Sequence, residues 1–246
     1  MPSADALVLP ISSVIAATPS TRIVRLALGD RELTFQAGQA ALIGLAEQEV
    51  RVPYSIASAP AETAQSGMLD FLVKIEPSGR WGHQFDVLEP GARIGIQGPF
   101  GSFIFPANPT ERRFLFIAGG TGIAPIRAMI RQALLSGLTG QIKLLYSAKT
   151  ADDFAYLPEL GEMAEQNGLE LRLHMTREPG ELPPAPGAVQ KPRAERGRIG
   201  LAQLAPLVDD PATLCFVCGP ESMLADVQPM LVGLGIDPAR VRTEEW

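Results

Sequence analysis

Phe114-Leu115-Phe116-Ile117-Ala118-Gly119-Gly120-Thr121-Gly122-Ile123-Ala124-Pro125 reads as a short apolar strand, a glycine turn and the opening of a helix. That order of elements builds a phosphate-binding loop. Glycines let the backbone come close to a ligand, and a helix N-terminus offers unpaired N–H groups with roughly half a positive charge. Pro125 in the first helical turn forfeits no hydrogen bond. The loop fits neither G-x-G-x-x-G nor G-x-x-x-x-G-K-[ST], so the common dinucleotide fingerprint and the P-loop are both set aside. A nucleotide site of another kind is left.

The same alternation continues to the C-terminus. After the strand 114–118 come a helix over about 123–136, the strand Ile142–Ser147, a helix near 157–167 and the strand Leu169–Met175. A helix near 199–207, the strand 214–218, a helix near 221–234 and a strand at Val241–Glu245 complete the series. Alternating strands and helices predict a parallel sheet with helices on both faces, and ligands to such sheets sit beyond the carboxyl ends of the strands. Gly119–Gly122 and Gly219-Pro220 both fall there. Residues 179–197 form a loop rich in proline and basic residues.

Before Pro106-Ala107-Asn108-Pro109 the grammar differs. Val24, Leu26 and Leu28 alternate with Arg25 and Ala27, and Leu69, Phe71, Val73 and Ile75 alternate with Asp70, Leu72 and Lys74. This period of two marks strands with one buried face. Many short strands with glycine punctuation predict a small antiparallel barrel, with one short helix after Gly82 that carries Phe85 and Leu88 and stops at Pro90. The expected division is therefore a β-barrel domain over 1–108 and an α/β domain over 109–246.

A net charge of −6 disfavours nonspecific nucleic-acid binding, which needs basic surface. No signal-peptide pattern opens the chain, and no run approaches the roughly 18 apolar residues of a membrane helix. The expectation is a cytoplasmic protein without membrane partners. Cys215 and Cys218 have C-x-x-C spacing, but on a strand residues three apart point to opposite faces, with Cα atoms about 10 Å apart. No second Cys or His pair completes a metal site. His83 and His174 are the only histidines, too few for a Ser-His-Asp or metal arrangement. Hydride and electron transfer through a bound cofactor suits that poverty of acid–base groups.

At this point the chain resembles the ferredoxin–NADP⁺ reductase-like flavoproteins, from about residue 20 to the C-terminus. Ala37-Gly38-Gln39 is similar to the family's P-G-Q, and Arg51-Val52-Pro53-Tyr54-Ser55-Ile56-Ala57-Ser58 to its flavin motif R-x-Y-S. Gly79-Arg80-Trp81-Gly82 stands where the family has G-x-x-S/T. Glu89-Pro90-Gly91 through Gly98-Pro99-Phe100-Gly101-Ser102-Phe103 resembles its barrel-closing segment. Gly119–Pro125 and Cys218-Gly219-Pro220 resemble its two nucleotide loops.

The resemblance implies a FAD-binding antiparallel Greek-key β-barrel followed by a NAD(P)-binding α/β domain with a parallel sheet. Tyr54, beside Pro53, would pack on the flavin, and Ser55 would hydrogen-bond near its reactive N5. Backbone at Leu72 and Val73 would line the flavin nucleotide. Arg51 corresponds to the arginine that pairs with the pyrophosphate, but stands three residues before the tyrosine instead of two. On a strand that shift turns it to the other face unless a bulge at Val52-Pro53 restores its aim. Gly79 and Gly82 would bind pyrophosphate through backbone N–H groups, without the family's hydroxyl, and His83 is either an added donor or an exposed residue.

In the second domain Gly120, Thr121 and Gly122 would serve the nucleotide, with Gly219 and Pro220 closing the pocket. Cys218 would abut the nicotinamide, against the plain alternative of a buried thiol. Trp246 would stack on the isoalloxazine with Glu244 two residues before it, against a frayed terminus. Thr176-Arg177, Gly197-Arg198 and Lys149 favour a 2′-phosphate and hence NADPH, while NADH stays open.

The expected protein is a monomeric, FAD-dependent NAD(P)H reductase, an electron-transfer enzyme with catalytic roles for Ser55, Cys218 and Glu244. Its two cysteines cannot hold a Cys₄ cluster, so electrons would pass to a separate ferredoxin, flavodoxin or oxygenase component. Two alternatives stand beside it: a reductase using free flavin as substrate, and a non-enzymatic FAD-binding electron-transfer or regulatory subunit.

Overall fold

The first alternating run forms the hairpin Leu7–Thr18 (β1) and Thr21–Ala27 (β2), closed by a hydrogen bond between the Thr18 and Thr21 hydroxyls. The computed structural model describes residues 7–75, 88–138, 140–177 and 195–245. The remaining barrel strands are Ala40–Leu45 (β3), Val52–Ser55 (β4), Met68–Lys74 (β5) and Arg93–Phe100 (β6). Their order is β4-β3-β6-β1-β2-β5, with every pair antiparallel. An Ile56–Phe71 bridge and the Ala57 N–H donated to the Asp70 carbonyl join the two ends, closing a Greek-key barrel. Its core is the inward set that includes Leu9, Val24, Leu26, Ile43, Phe71, Ile94 and Ile96. Each such side chain contributes about 1.5–3 kcal/mol by leaving water.

Two features of this unit depart from the sequence reading. Pro60–Ser66 is a helix (α1), with Pro60 in its first turn and the Glu62 carboxylate accepting the Ala59 N–H at its start. β5 is not amphipathic either: Leu69 through Val73 are all buried, Asp70 included. The reason is α1, which packs against β5, together with the Ser58 hydroxyl that accepts the Asp70 N–H. Asp70 is tolerated there because Arg25 meets both its oxygens at 2.8 Å. The short helix expected after Gly82 lies outside the described residues.

The second unit follows its predicted order closely. Arg113–Gly119 (β7), Gln141–Ala148 (β8), Leu169–Met175 (β9), Glu195–Arg196 (β10), Leu214–Gly219 (β11) and Val241–Glu245 (β12) form one parallel sheet, ordered β10-β9-β8-β7-β11-β12. The helices are Ile123–Leu135 (α2), Leu157–Asn167 (α3), Leu201–Leu204 (α4) and Glu221–Gly233 (α5). α4 is shorter than expected because Pro206 has no N–H to offer Ala202, although Ala205 before it keeps helical backbone and donates to the Leu201 carbonyl. β10 was not expected; most of the 179–197 loop before it lies outside the described residues.

By contacts, one compact unit comprises 1–107 with Arg127–Gly137 and the other comprises 108–126 with 138–246. The latter part of α2 therefore groups with the barrel, whereas the linker at 106–109 placed all of α2 in the second domain. Among the described residues no helix is long and apolar enough to cross a membrane.

Candidate functional site

In the parallel sheet the chain runs outward from β7 through β8, β9 and β10, then returns to place β11 on β7's other side. The gap between β7 and β11 is thus the point where strand order reverses, the position at which such sheets bind ligands. Both predicted loops meet there. Cys218 lies beside Ala118 in the ladder, and Gly120–Gly122 forms a single 3₁₀ turn between β7 and α2. A Cβ on Gly122 would lie 2.6 Å from the Cys218 carbonyl carbon and 2.9 Å from the Gly219 nitrogen, and nearer still to the Cys218 oxygen. A Cβ on Gly119 would lie 2.8 Å from the Met223 sulfur and 3.0 Å from Pro220 Cδ. Gly120 is required for a different reason, a left-handed φ of +55° in open space. The glycines are a packing solution, two loops in backbone contact.

A cavity of about 420 Å³ opens at these strand ends. Gly119, Gly120 and Pro220 form part of its wall, and Lys149, Arg177 and Arg198 also line it. Arg177 is set by its N–H donated to the Lys149 carbonyl at 3.0 Å, which extends the β8–β9 ladder. The residue before Arg198 is set by His174, fully buried, whose Nε2 lies 2.6 Å from the Gly197 carbonyl. A carbonyl only accepts, so Nε2 carries the proton there. Glycine backbone, a helix N-terminus and converging cations together suit a nucleotide with phosphates.

The sequence reading missed Tyr146. Fully buried on β8, it donates its hydroxyl hydrogen to the Gly120 carbonyl at 3.2 Å and accepts the Ala155 N–H at 3.1 Å, with Phe154 edge-on to its ring. Burial pushes its phenol far above the ordinary range, so it remains a donor at any working pH. Within an apolar strand run its role is invisible, because the partner carbonyl lies on the neighbouring strand's loop. Tyr146→Phe should lower stability by about 1–2 kcal/mol by stranding both partners. It should also weaken nucleotide binding, as thermal unfolding with and without added nucleotide would show.

Cys215 and Cys218 are free and buried. Burial raises the Cys215 thiol to about 12, and burial together with the Glu244 charge raises Cys218 well above the ordinary thiol range. Glu244 is the ladder neighbour of Cys218 across β11 and β12, so β12 is paired through Glu245. Trp246 lies outside the described residues, as do Gly79, Gly82 and His83.

On the barrel, Pro53, Tyr54 and Ser55 lie on β4, paired with Leu42, Ala41 and Ala40. That ladder has no register shift, so the bulge that would re-aim Arg51 is not formed; Arg51 precedes the strand. Its side chain folds over two paired glycines instead: a Cβ on Gly44 would lie 3.3 Å from Arg51 Cγ, and one on Gly95 2.6 Å from its Nη2. Nη1 donates to the Glu49 carbonyl at 3.3 Å, while Nε and Nη2 are buried without partners. Such a half-satisfied guanidinium suits an anion. Beyond the Ile56–Phe71 bridge, no ladder bonds join Val52–Ser55 to Leu72–Lys74 among the described residues. Tyr54, Ser55, Leu72 and Val73 therefore border a seam between β4 and β5 that the ladder leaves unpaired.

A polar network behind this seam also escaped the sequence reading. Arg127, 3% exposed, donates to the Ala57 carbonyl at 2.7 Å and to both Glu62 oxygens at 3.0 and 2.9 Å. Thr63 donates to Ser58, which also takes the Asp70 N–H. Burial works against the Glu62 charge, but the Arg127 bonds and charge, the Ala59 N–H and Arg131 outweigh it and hold this carboxyl below the usual range. The signal for α1 was present as Pro60 and Glu62 in its first turn, while the Arg127 partnership spans 65 residues.

The oxidoreductase FAD-binding domain family matches residues 9–105, and the oxidoreductase NAD-binding domain family matches residues 116–229. The chain is 31% identical to ferredoxin–NADP reductase B of Sorangium cellulosum over 217 residues, covering 86% of this chain and 85% of that protein. It is 30% identical to the ferredoxin–NAD(+) reductase component of the alkene monooxygenase system of Xanthobacter autotrophicus, over 72% of this chain and 51% of that one. A ferredoxin NADP⁺ reductase from Neisseria gonorrhoeae, with bound FAD and NADP, shares the fold at a TM-score of 0.79 and 18% identity, covering 99% of each chain. With both domain families in order and a relative matched along most of both lengths, the chain belongs to the ferredoxin–NADP⁺ reductase-like family of FAD- and NAD(P)-binding oxidoreductases.

Proposed function

We propose that this oxidoreductase takes hydride preferentially from NADPH and delivers electrons to a separate acceptor: a ferredoxin, a flavodoxin or an oxygenase component. The observation that carries the NADPH reading is the convergence of Lys149, Arg177 and Arg198 on the cavity beside the glycine loop. A 2′-phosphate adds roughly two negative charges that only cations can hold tightly. The Sorangium and Xanthobacter relatives, each a ferredoxin reductase, support an acceptor of the ferredoxin kind.

When bound, FAD supplies acceptance of two electrons as hydride and their release one at a time. Gly120, Thr121 and Gly122 offer backbone N–H groups to the nucleotide phosphates, and Gly219-Pro220 holds the opposite wall. Ser55 would offer its hydroxyl near flavin N5, Tyr54 with Pro53 would pack beside the ring, and backbone at Leu72 and Val73 would line the flavin nucleotide. Arg51 would pair with the pyrophosphate, and backbone N–H groups of Gly79 and Gly82 would bind it as well. Cys218, kept as a neutral thiol by burial, and Glu244 would shape the nicotinamide pocket, and Trp246 would stack on the isoalloxazine.

Anaerobic titration of the purified protein with NADPH and NADH tests this directly. Flavin bleaching is expected with both, at lower concentration with NADPH; no bleaching by either would sink the reading. One observation favours a second reading. Arg51 is held over Gly44 and Gly95 and precedes β4, which would weaken the grip on a resident flavin. A protein that purifies colourless yet oxidises NADPH only when free flavin is added would be a flavin reductase.

A further inference from the structure

The cavity wall carries one carboxylate among its cations. Asp226 comes from α5, the helix that follows Pro220, and not from a strand end where Lys149 and Arg177 lie. Its Oδ2 sits 3.6 Å from Arg198 Nη1. We propose that Asp226 sets the choice of nicotinamide nucleotide, by competing with a 2′-phosphate for Arg198 and by accepting the ribose 2′-hydroxyl when that phosphate is absent. This rests on the reading of the cavity as the NAD(P)H site.

Three observations make Asp226 a competitor and not a structural partner. First, the pair is loose and wet: the Arg198 side chain is 80% exposed and that of Asp226 44%. An exposed ion pair contributes little to stability, so nothing in the fold requires Arg198 to stay with Asp226. Second, the backbone beneath Arg198 is anchored. His174 binds the Gly197 carbonyl, and the Gly197 N–H bonds the Met175 carbonyl at 3.1 Å. The guanidinium can therefore change partner by side-chain rotation alone. Third, Asp226 stands one helical turn after Met223, and both line the cavity, so its carboxylate stays on the wall after Arg198 leaves it.

The consequences for the two nucleotides are opposite. A 2′-phosphate must draw Arg198 from Asp226 and then sit near an uncompensated negative charge. A free 2′-hydroxyl meets an acceptor already in place, the usual role of a carboxylate in sites for the unphosphorylated nucleotide. The cations thus favour NADPH while Asp226 limits the margin, which makes NADH a usable donor.

Calorimetric titration of the full-length protein with adenosine 2′,5′-bisphosphate and with 5′-AMP isolates this step from flavin and hydride chemistry. In Asp226→Asn the bisphosphate should bind about tenfold more tightly, as expected for removing one like charge at contact range, while 5′-AMP weakens. Asp226→Ser should shift the ratio in the same direction. In Arg198→Gln the bisphosphate should bind more weakly, and adding Asp226→Asn should then recover part of that loss. A ratio unchanged in both Asp226 variants, with both nucleotides still binding, would overturn the proposal and leave the nucleotide site standing. If neither nucleotide binds the unmodified protein, the site reading and the proposal fall together.

Discussion

Gly122→Ala is expected to disable the nucleotide site. The added methyl would sit 2.6 Å from the Cys218 carbonyl carbon and 2.9 Å from the Gly219 nitrogen, and these are backbone atoms at the end of a central, fully buried strand. No side chain can swing aside, so either β11 retreats from the 3₁₀ turn or the turn lifts away from α2. Overpacking of this kind costs about 1–3 kcal/mol. The functional loss should be larger, because the displaced atoms are the backbone proposed to hold the nucleotide phosphates; a shift of about 1 Å is worth roughly a hundredfold. We expect NADPH affinity to fall at least that far in a binding titration. Gly120→Ala is the control: its Cβ meets nothing within 4 Å, so only the strain of φ +55° remains, about 1–2 kcal/mol. Equal losses in the two variants would mean that loop conformation, and not contact between the loops, is what matters.

Glu62→Gln is expected to lower stability by about 3 kcal/mol or more, because it leaves the buried Arg127 guanidinium without its counter-charge. The effect has a pH signature. Glu62 is held below its ordinary value of 4.5 in the folded protein, so its contribution is fully present above that value and is lost as pH falls through the lower folded one. Denaturant unfolding should therefore show a constant gap between the unmodified protein and Glu62→Gln above about pH 5.5. The curves should converge as pH drops below the carboxylate range, where the natural residue is itself protonated. A gap independent of pH down to about 3 would show that Glu62 acts through packing alone. Replacing both partners, as Glu62→Leu with Arg127→Met, should restore much of the loss. Because Arg127 also holds the Ala57 carbonyl beside the Tyr54-Ser55 seam, the single variant should loosen flavin retention as well.

The contrast between these two sites shows how far the sequence could be read. The glycine loop was legible because its partners are local: strand, turn and helix follow one another from Phe114 to Leu135, and each leaves a periodic signature. Cys218-Gly219-Pro220 was legible for the same reason, as a strand running into a helix. β5 was not, because period-two alternation records which residues are apolar and cannot record that a helix covers the other face. Asp70 reads as solvent-facing until Arg25 and Ser58 are seen against it. Arg127 looks like any charge on an amphipathic helix, and Glu62 like any exposed acid. Arg51 is intermediate: its displacement from the family motif was visible, but only the unbroken β3–β4 register shows that no bulge corrects it.

Composition, periodicity and motif order are properties of neighbouring residues, and they were enough for the barrel and the parallel sheet. Long-range pairing decided the rest. Gly122 must be glycine because β11 lies beside β7, Tyr146 steadies a loop that belongs to another strand, and Asp226 reaches Arg198 from a helix. None of those partners is near in the chain. Side chains and backbone groups that meet only after the sheet has ordered its strands leave no local pattern to read.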